Sequence, residues 1–157
     1  MSKSFSSDTA FAKWEQTVPE IFQNDALWRI KAYRLSLYIS DIAWEDISTL
    51  SKDIRTRKVS DQLYRALGSI SANIAESYSR STGKAKALYL EYALGSARES
   101  RDWYYKSRFI LGGQVVGYRL EILTQIIRLL LTMLPKQRII KRIREENQLY
   151  VIGFQDT

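Results

Sequence analysis

The sequence predicts an all-α protein, folded as an antiparallel up-down-up-down four-helix bundle with N- and C-terminal extensions. Only 2 Pro and 7 Gly occur in 157 residues, and a chain so poor in turn-forming residues favours long helices over many short strands. Apolar residues recur at spacings of three and four along four segments, and the connections between these segments are short. Hydrophobic residues make up 45% of the chain, so a packed core is expected.

The first predicted helix runs from about Asp25, a good N-cap residue, to about Leu50. Its apolar residues form two adjacent stripes, which together cover a wider arc than one partner helix needs. The arc indicates contact with a neighbouring subunit as well as an internal core, although a central position in the bundle would also explain it. The stripes are Ile30, Tyr33, Leu37, Trp44 and Ile47, beside Trp28, Ala32, Leu35, Ile39 and Ala43.

The second predicted helix begins near Thr56 or Ser60 and ends near Ser81. Beside its core stripe lies a row of small residues that would let another backbone approach closely. Because glycine lowers helix propensity, the glycine in this row indicates a packing requirement. The core stripe is Val59, Leu63, Leu67, Ile70 and Ile74, and the small residues are Gly68, Ala72 and Ala75.

Thr82 is expected to cap the third helix, which continues to Leu111 and is ended by Gly112-Gly113. The fourth helix starts near Gly117 and is the most apolar, so it should be the most enclosed. After it, Pro135 either kinks the helix or occupies the first turn of a new one. The polar residues of the fourth helix fall on one narrow strip, which is Glu121, Gln125, Arg128 and Thr132.

These elements divide the chain into an N-terminal extension at 1–24, the four-helix bundle at 25–134 and a basic helical extension and tail at 135–157. The start, MSKSFSSDTAFAKW, lacks the apolar core of a signal peptide. No stretch approaches the ~18 apolar residues of a membrane-spanning helix. A soluble, cytoplasmic protein is therefore expected.

The absence of two residue types limits the possible chemistry. Without Cys, disulfides, thiolate nucleophiles and Cys-type zinc sites are excluded, and without His, imidazole catalysis and His-metal ligation are excluded. Glu76 with Glu99 is the one pair of acids that could be proposed for acid-base work, and carboxylates alone make a poor metal site. We therefore expect a protein that is not an enzyme and that uses no cofactor or metal.

Lys and Arg exceed Asp and Glu by 24 to 17, a formal charge of +7 that favours polyanionic partners. A first cluster of cations lies at the predicted turn between helices one and two, where a bundle end could bind phosphate. A second lies within the predicted C-terminal helix, whose basic face would contact phosphates or be merely solvated. The first cluster is Lys52, Arg55, Arg57 and Lys58; the second is Lys136, Arg138, Lys141, Arg142 and Arg144.

A third basic segment, RDWYYKSRF from Arg101 to Phe109, interleaves cations with aromatic residues, a composition used for stacking on unpaired bases. The spacing of Trp103, Tyr104 and Phe109 instead predicts core positions. Arg101 and Arg108, with the intervening Tyr105, are left as the candidates for nucleic-acid contact.

Polar residues also interrupt the predicted seams of helices two and three. Asn73 and Glu76 could form an inter-helix hydrogen-bond network, a contact site or a solvent-facing strip, and Ser96 and Glu99 enter a seam of helix three. If they are buried, they need hydrogen-bond partners, and arginines of helix three could supply them. These four residues are the candidate structural polar motif.

Several segments resemble the four-helix-bundle family of 23S rRNA intervening-sequence proteins, over about Leu27 to Leu134. The most specific are SISANIAE, ending at Glu76, and LGSARE, from Leu94 to Glu99. IKAYRLSLYI in helix one and ILTQIIRLLLTML in helix four are also similar to the family. Ser77 departs from the pattern, because the family usually has glycine there.

The resemblance implies relationship to the accessory protein of diversity-generating retroelements, a basic pentameric barrel that binds nucleic acid and a reverse transcriptase. It therefore suggests a homopentamer here, binding RNA or DNA through the cationic residues and assisting a reverse transcriptase. The alternative is a protein-interaction scaffold with no direct role in nucleic-acid binding. The family likeness does not account for the basic segment from Lys136 onward.

Overall fold

The computed structural model describes the backbone of residues 4–153 and the side chains of residues 9–134. All regular structure in this part of the chain is helical, which confirms the all-α class. In chain order the elements are α1 (Ser4–Glu15), α2 (Glu20–Gln23), a 3₁₀ turn (Ala26–Arg29), α3 (Lys31–Lys52), α4 (Arg57–Ser79), α5 (Gly83–Lys106), α6 (Arg108–Leu111) and α7 (Gly113–Gly153).

One apolar core joins the four long helices. Helix α3 packs against α4, α4 against α5, α5 against α7, and α7 against α3. The apolar faces predicted from helical spacing supply the core, because residues three and four apart share one side of a helix. Its most completely buried large side chains are Ile39, Leu50, Leu63, Leu67, Ile70, Ile74, Leu90, Tyr104, Leu123, Ile126 and Leu130.

The start of α3 differs from the prediction. Asp25 does act as a cap, but its carboxylate accepts a hydrogen bond from the Leu27 amide at 2.8 Å and caps the 3₁₀ turn. The α-helix begins only at Lys31, after Ile30 adopts an extended backbone conformation. The prediction that one helix extends from Asp25 is therefore wrong, because the tighter turn precedes it.

The Thr82 cap of α5 is confirmed, since its hydroxyl accepts from the Ala85 amide at 3.2 Å. The predicted continuation of this helix to Leu111 is wrong. Ser107 interrupts it, and the short α6 follows before Gly112 reverses the chain with a φ of +83°. This interruption changes the register of the side chains that follow it.

Helix α7 begins at Gly113 and continues to Gly153, so its backbone passes Pro135 without a helix end. Neither a new helix starting at the proline nor a start near Gly117 is observed. The predicted polar strip is confirmed, because Glu121, Gln125, Arg128 and Thr132 are all exposed. The other faces of the helix provide buried residues up to Leu134.

The N-terminal segment packs on α3 through aromatic rings. Trp14 stacks with Phe11 and Trp28, with ring centroids 5.8 Å and 6.2 Å apart, and both Phe11 and Trp14 contact Tyr38. The indole N–H of Trp14 donates to the Asp41 carboxylate at 2.7 Å. Helix α1 is thus attached to the core by both apolar and polar contacts.

Two residues on helix faces that were predicted to pack against another helix are exposed. Trp44 is 62% exposed and meets only the edge of Tyr64, because it lies on the outer side of the wide apolar arc of α3. Gly68 is also exposed, and a β-carbon added there would meet no atom within 4 Å. The close approach predicted at Gly68 therefore does not occur within the described subunit.

Within the described residues, no helix has the combination of length and apolarity that crossing a bilayer requires.

Candidate nucleic-acid interface

A buried polar network crosses three helices near the candidate interface. The Tyr104 hydroxyl donates a hydrogen bond to Asp46 Oδ2 at 2.9 Å, and Arg119 Nε donates one to the same oxygen at 2.8 Å. Arg119 also reaches the other carboxylate oxygen of Asp46 and the carbonyl of Ile42, at 3.3 and 3.4 Å. The carboxylate joins α3, α5 and α7 because each helix contributes one member of the network.

Burial governs the proton equilibria of this region. Desolvation and the adjacent Asp46 carboxylate raise the pKa of Tyr104 well above its ordinary value of 10.0. Burial alone would lower the pKa of Arg119, but its hydrogen bond to Asp46 and the negative charge there raise it instead. The Tyr104 phenol therefore stays neutral beside the Asp46 carboxylate over the whole physiological pH range.

The contacts between α3 and α7 establish which chain ends lie together. Lys31 and Leu35 line one small cavity with Ile122 and Gln125, whereas Asp46 bonds to Arg119. The two helices therefore run in opposite directions. The end of α3 and the beginning of α7 consequently lie at the same end of the molecule.

That end carries the α3–α4 turn and the α5–α6–α7 connection. We call it the basic end and define it by six cationic residues, which the sequence separates into two groups about fifty positions apart. They are Lys52, Arg55, Arg57, Lys58, Lys106 and Arg108.

The α3–α4 turn is held by short-range hydrogen bonds. The Thr56 hydroxyl donates to the carbonyl of Leu50 at 2.7 Å, which closes the end of α3 over the start of α4. Arg55 donates side-chain and backbone hydrogen bonds to Asp53, at 2.6 to 2.9 Å, and these lower the pKa of the Asp53 carboxyl to about 2. The charge of Arg55 is thus offset by Asp53.

The other cations of this turn have no carboxylate partner among the described side chains. Lys52, Arg57 and Lys58 are exposed, and Arg57 donates a long hydrogen bond to the Ser51 carbonyl at 3.5 Å. Their charges are therefore available to an external anion.

Arg108 lies between two aromatic rings. Its guanidinium carbon is 4.2 Å from the ring centroid of Tyr105 and 4.2 Å from that of Phe109. The guanidinium also donates to the carbonyl of Tyr105 at 2.9 Å, which fixes its position. Such cation–π contacts leave the positive charge unneutralised, because no anion takes part.

Phe109 corrects the sequence prediction, since it is 82% exposed rather than buried. The interruption of the helix at Ser107 is the physical reason. In the short α6, the side chains of Ile110 and Leu111 pack against the core, and Phe109 faces outward. The predictions for Tyr104 as a core residue and Tyr105 as a surface residue are both confirmed.

Lys106 and Arg101 flank these rings. Lys106 lies 4.5 Å above the ring of Trp103 and forms an ion pair with Asp102 at 2.6 Å. Arg101 is exposed and precedes Tyr105 by one helical turn, so both are on the same face of α5. Arg108 thus contacts Tyr105, and Arg101 lies one turn before Tyr105 on the same face of α5.

The four residues of the predicted polar motif do not bond to one another across helices. Asn73 donates to the Ser69 carbonyl of its own helix, Glu76 pairs with Arg80, and Glu99 accepts from the Trp103 indole at 3.1 Å. The Ser96 carbonyl accepts a hydrogen bond from the Ser100 hydroxyl, one turn further along the same helix. The contacts of Asn73, Ser96 and Glu99 lie within single helices, whereas Arg80, the partner of Glu76, also donates to the Tyr89 hydroxyl of α5 at 3.0 Å.

The C-terminal basic cluster falls outside the part of the chain whose side chains are described. Its backbone belongs to α7. The cluster is Lys136, Arg138, Lys141, Arg142 and Arg144.

Sequence reasoning missed the network of Asp46, Tyr104 and Arg119. A signal was present, because Asp46 lies three residues after Ala43 and four before Leu50, on the buried face of α3. An acid on an apolar stripe needs a buried partner. Only the fold identifies Arg119 and Tyr104 as the partners of Asp46.

The described residues define an all-α protein with four unpaired cations and two exposed aromatic rings at one end. Residues 29–110, just over half of the 157-residue chain, match the 23S rRNA-intervening sequence protein family. The chain therefore belongs to that family. Searches of curated proteins and of solved structures found no significant match.

Proposed function

We propose that this protein is a non-catalytic, cytoplasmic accessory protein that binds RNA or DNA through cationic surfaces. In this proposal the four long helices form an antiparallel up-down-up-down bundle, and copies of the bundle assemble into a homo-oligomer, a pentamer in the arrangement we favour. Its biological partner would be a reverse transcriptase of a retroelement. The family name says that its members are linked to an rRNA intervening sequence and leaves these functions open.

The observation that carries the proposal is the group of four unpaired cations at the basic end. Lys52, Arg57, Lys58 and Arg108 have no carboxylate partner among the described side chains. A cation without a partner is fully available to a phosphate, and each phosphate it neutralises releases counterions and adds affinity. Arg55 and Lys106 contribute less, because Asp53 and Asp102 compete for them.

Assembly would multiply this effect. Five copies at +7 each would carry 5 × 7 = +35, so modest surfaces on each subunit could bind one nucleic acid through summed contacts. The exposed small residues Gly68 and Ala72 on α4 support association, because an open face without bulky side chains suits close helix packing.

The direct test is an anisotropy titration of the full chain with labelled RNA and DNA over a range of salt concentrations. The triple variant Lys52→Gln, Arg57→Gln, Lys58→Gln should bind more weakly. A plot of its log affinity against log salt concentration should also have a slope smaller in magnitude by about 2 to 3. The control has the same charge change and should retain the affinity and the salt dependence of the unmodified chain. It is the triple variant Lys13→Gln, Lys31→Gln, Arg128→Gln.

Two results would contradict the proposal. One is the absence of RNA and DNA binding by the unmodified chain at low salt. The other is an equal loss in both triple variants, since binding would then depend on net charge and not on the basic end.

The second candidate function is a protein-interaction scaffold, which would dock a reverse transcriptase without contacting nucleic acid. The exposed pair Trp44 and Tyr64 favours it, because aromatic residues are enriched in protein interfaces. Charge reversal at Arg138, Lys141 and Arg142 separates the candidates. Lost binding to a partner protein with unchanged nucleic-acid affinity would favour the scaffold.

A further inference from the structure

We infer that Tyr105, Arg108 and Phe109 form a stacking surface for the unpaired bases of single-stranded RNA. The inference rests on the proposed function and extends it, because it names the form of nucleic acid and the atoms that contact it. We call these three residues the stacking surface.

The geometry supplies three planar groups in one row. The Arg108 guanidinium lies 4.2 Å from the ring centroids of both Tyr105 and Phe109, and its hydrogen bond to the Tyr105 carbonyl keeps it there. Tyr105 is 53% exposed and Phe109 is 82% exposed. A base can therefore reach the ring of Phe109 without any displacement of the core.

The exposed ring of Phe109 leaves apolar surface that a stacked base could cover. A phenylalanine ring left in water forgoes the roughly 1.5–3 kcal/mol that burial of its side chain provides. Contact with Arg108 covers part of the ring but does not bury it. A base stacked on the ring would remove apolar surface from water on both partners.

The surrounding charge indicates that the ligand is anionic. Arg101 lies one turn before Tyr105 on α5. The cations Lys52, Arg57 and Lys58 lie at the same end of the molecule. A second copy of this basic end would be repelled by like charge. A chain that offers flat bases and phosphates together satisfies both the rings and the cations.

Single-stranded RNA fits these requirements better than a duplex does. Within a duplex the bases are stacked on one another, so only phosphates and sugars could reach the basic end. Proteins that recognise RNA commonly use its unpaired loops and ends, whose bases stack on aromatic rings and arginine planes. The stacking surface therefore discriminates between strands by base accessibility, while the cations bind both forms.

The test compares a single-stranded RNA oligonucleotide with an RNA duplex of the same length at one salt concentration. Phe109→Ala should weaken single-strand binding about 5- to 150-fold and leave duplex binding unchanged. Tyr105→Ala should act in the same direction. Ile21→Ala is the matched control, because Ile21 is 80% exposed but lies in α2, and it should change neither affinity.

A fluorescent base analogue in the single strand gives a second readout. Its fluorescence should be quenched on binding to the unmodified protein and much less quenched on binding to Phe109→Ala at saturation. Sedimentation of Phe109→Ala should match that of the unmodified protein.

The outcomes separate the inference from the proposed function. Unchanged single-strand affinity in Phe109→Ala, or equal weakening for both RNAs, overturns the stacking surface but leaves nucleic-acid binding intact. A changed oligomeric state would also overturn it, because Phe109 would then be covered by a second copy. Failure of the unmodified chain to bind either RNA overturns both.

Discussion

Asp46 carries a negative charge into the core, where 6% of the residue remains exposed. Its two donors come from different helices, Tyr104 of α5 and Arg119 of α7. A buried ion pair adds little net stability compared with apolar residues of the same volume, because both charges lose their water. The pairing instead fixes the relative positions of three helices near the basic end.

Removal of one partner should be costly. We expect Asp46→Ala to lower the free energy of unfolding by about 3 to 5 kcal/mol, because the Arg119 guanidinium would stay buried without its anion. Urea titration of the variant should give a lower midpoint with an unchanged slope. Asp61→Ala is the control, because it removes an exposed ion pair with Arg65 and should change the free energy by less than about 1 kcal/mol.

Tyr104 makes stability depend on alkaline pH. Its pKa is raised in the folded state, so above the ordinary value of 10.0 the unfolded chain loses the phenolic proton while the folded chain keeps it. This part of the stability is fully present below pH 10 and declines as the pH rises toward the folded-state pKa.

Tyr104→Phe tests this dependence. At neutral pH we expect the variant to be less stable by about 1 to 3 kcal/mol, because Asp46 loses a buried donor. The difference from the unmodified protein should narrow as the pH rises above 10, in denaturant titrations at successive pH values. A difference that stays constant across that range would show that the Tyr104 proton is not linked to unfolding.

At the scale of elements, local signals specified helices more reliably than helix ends. The Thr82 cap is confirmed because capping depends on neighbouring atoms only. The continuous passage of α7 across Pro135 was not decided by the sequence, because a proline is compatible with either a kink or a helix start. The break at Ser107 was missed, because serine is not a residue type that forces a helix to end.

Gly112 controls the connection between α6 and α7. Its backbone has φ of +83° and ψ of 152°, a region that is almost confined to glycine. Gly112→Ala should therefore destabilise the protein by about 1 to 3 kcal/mol, even though a β-carbon would meet no atom within 4 Å. Thermal unfolding of the variant measures the effect.

The adjacent glycine provides the control. Gly113 is exposed and is the first residue of α7. Because alanine is a better helix former than glycine, Gly113→Ala should be neutral or stabilising by up to about 1 kcal/mol. Equal effects of the two substitutions would mean that the backbone conformation of Gly112 is not the cause.

At the scale of the whole molecule, the open face of α4 bears on assembly. Gly68 is in the middle of the helix and has no neighbour within 4 Å of an added β-carbon. Within one subunit, Gly68→Ala should stabilise α4 by up to about 1 kcal/mol. A bulky side chain there would instead obstruct a second subunit packed on this face.

We expect Gly68→Leu to dissociate the proposed homo-oligomer without unfolding its subunits. Sedimentation velocity should detect the change in mass, and circular dichroism should retain the helical signal. Thr132→Leu, on the exposed strip of α7, should leave the assembly intact. If the unmodified chain sediments as a monomer at micromolar concentration, both the proposed homo-oligomer and the proposed role of the α4 face in its assembly are rejected.

The sequence by itself determined the all-α class and most of the buried residues, because helical periodicity is a local property that packing preserves. Helical spacing also placed Tyr104 in the core and Tyr105 on the surface, as observed. Two relations follow from the fold alone: Lys52 and Arg108 lie at one end, and Asp46 pairs with Arg119. Those relations depend on how distant helices meet, and spacing along a single helix carries no information about a partner more than fifty residues away.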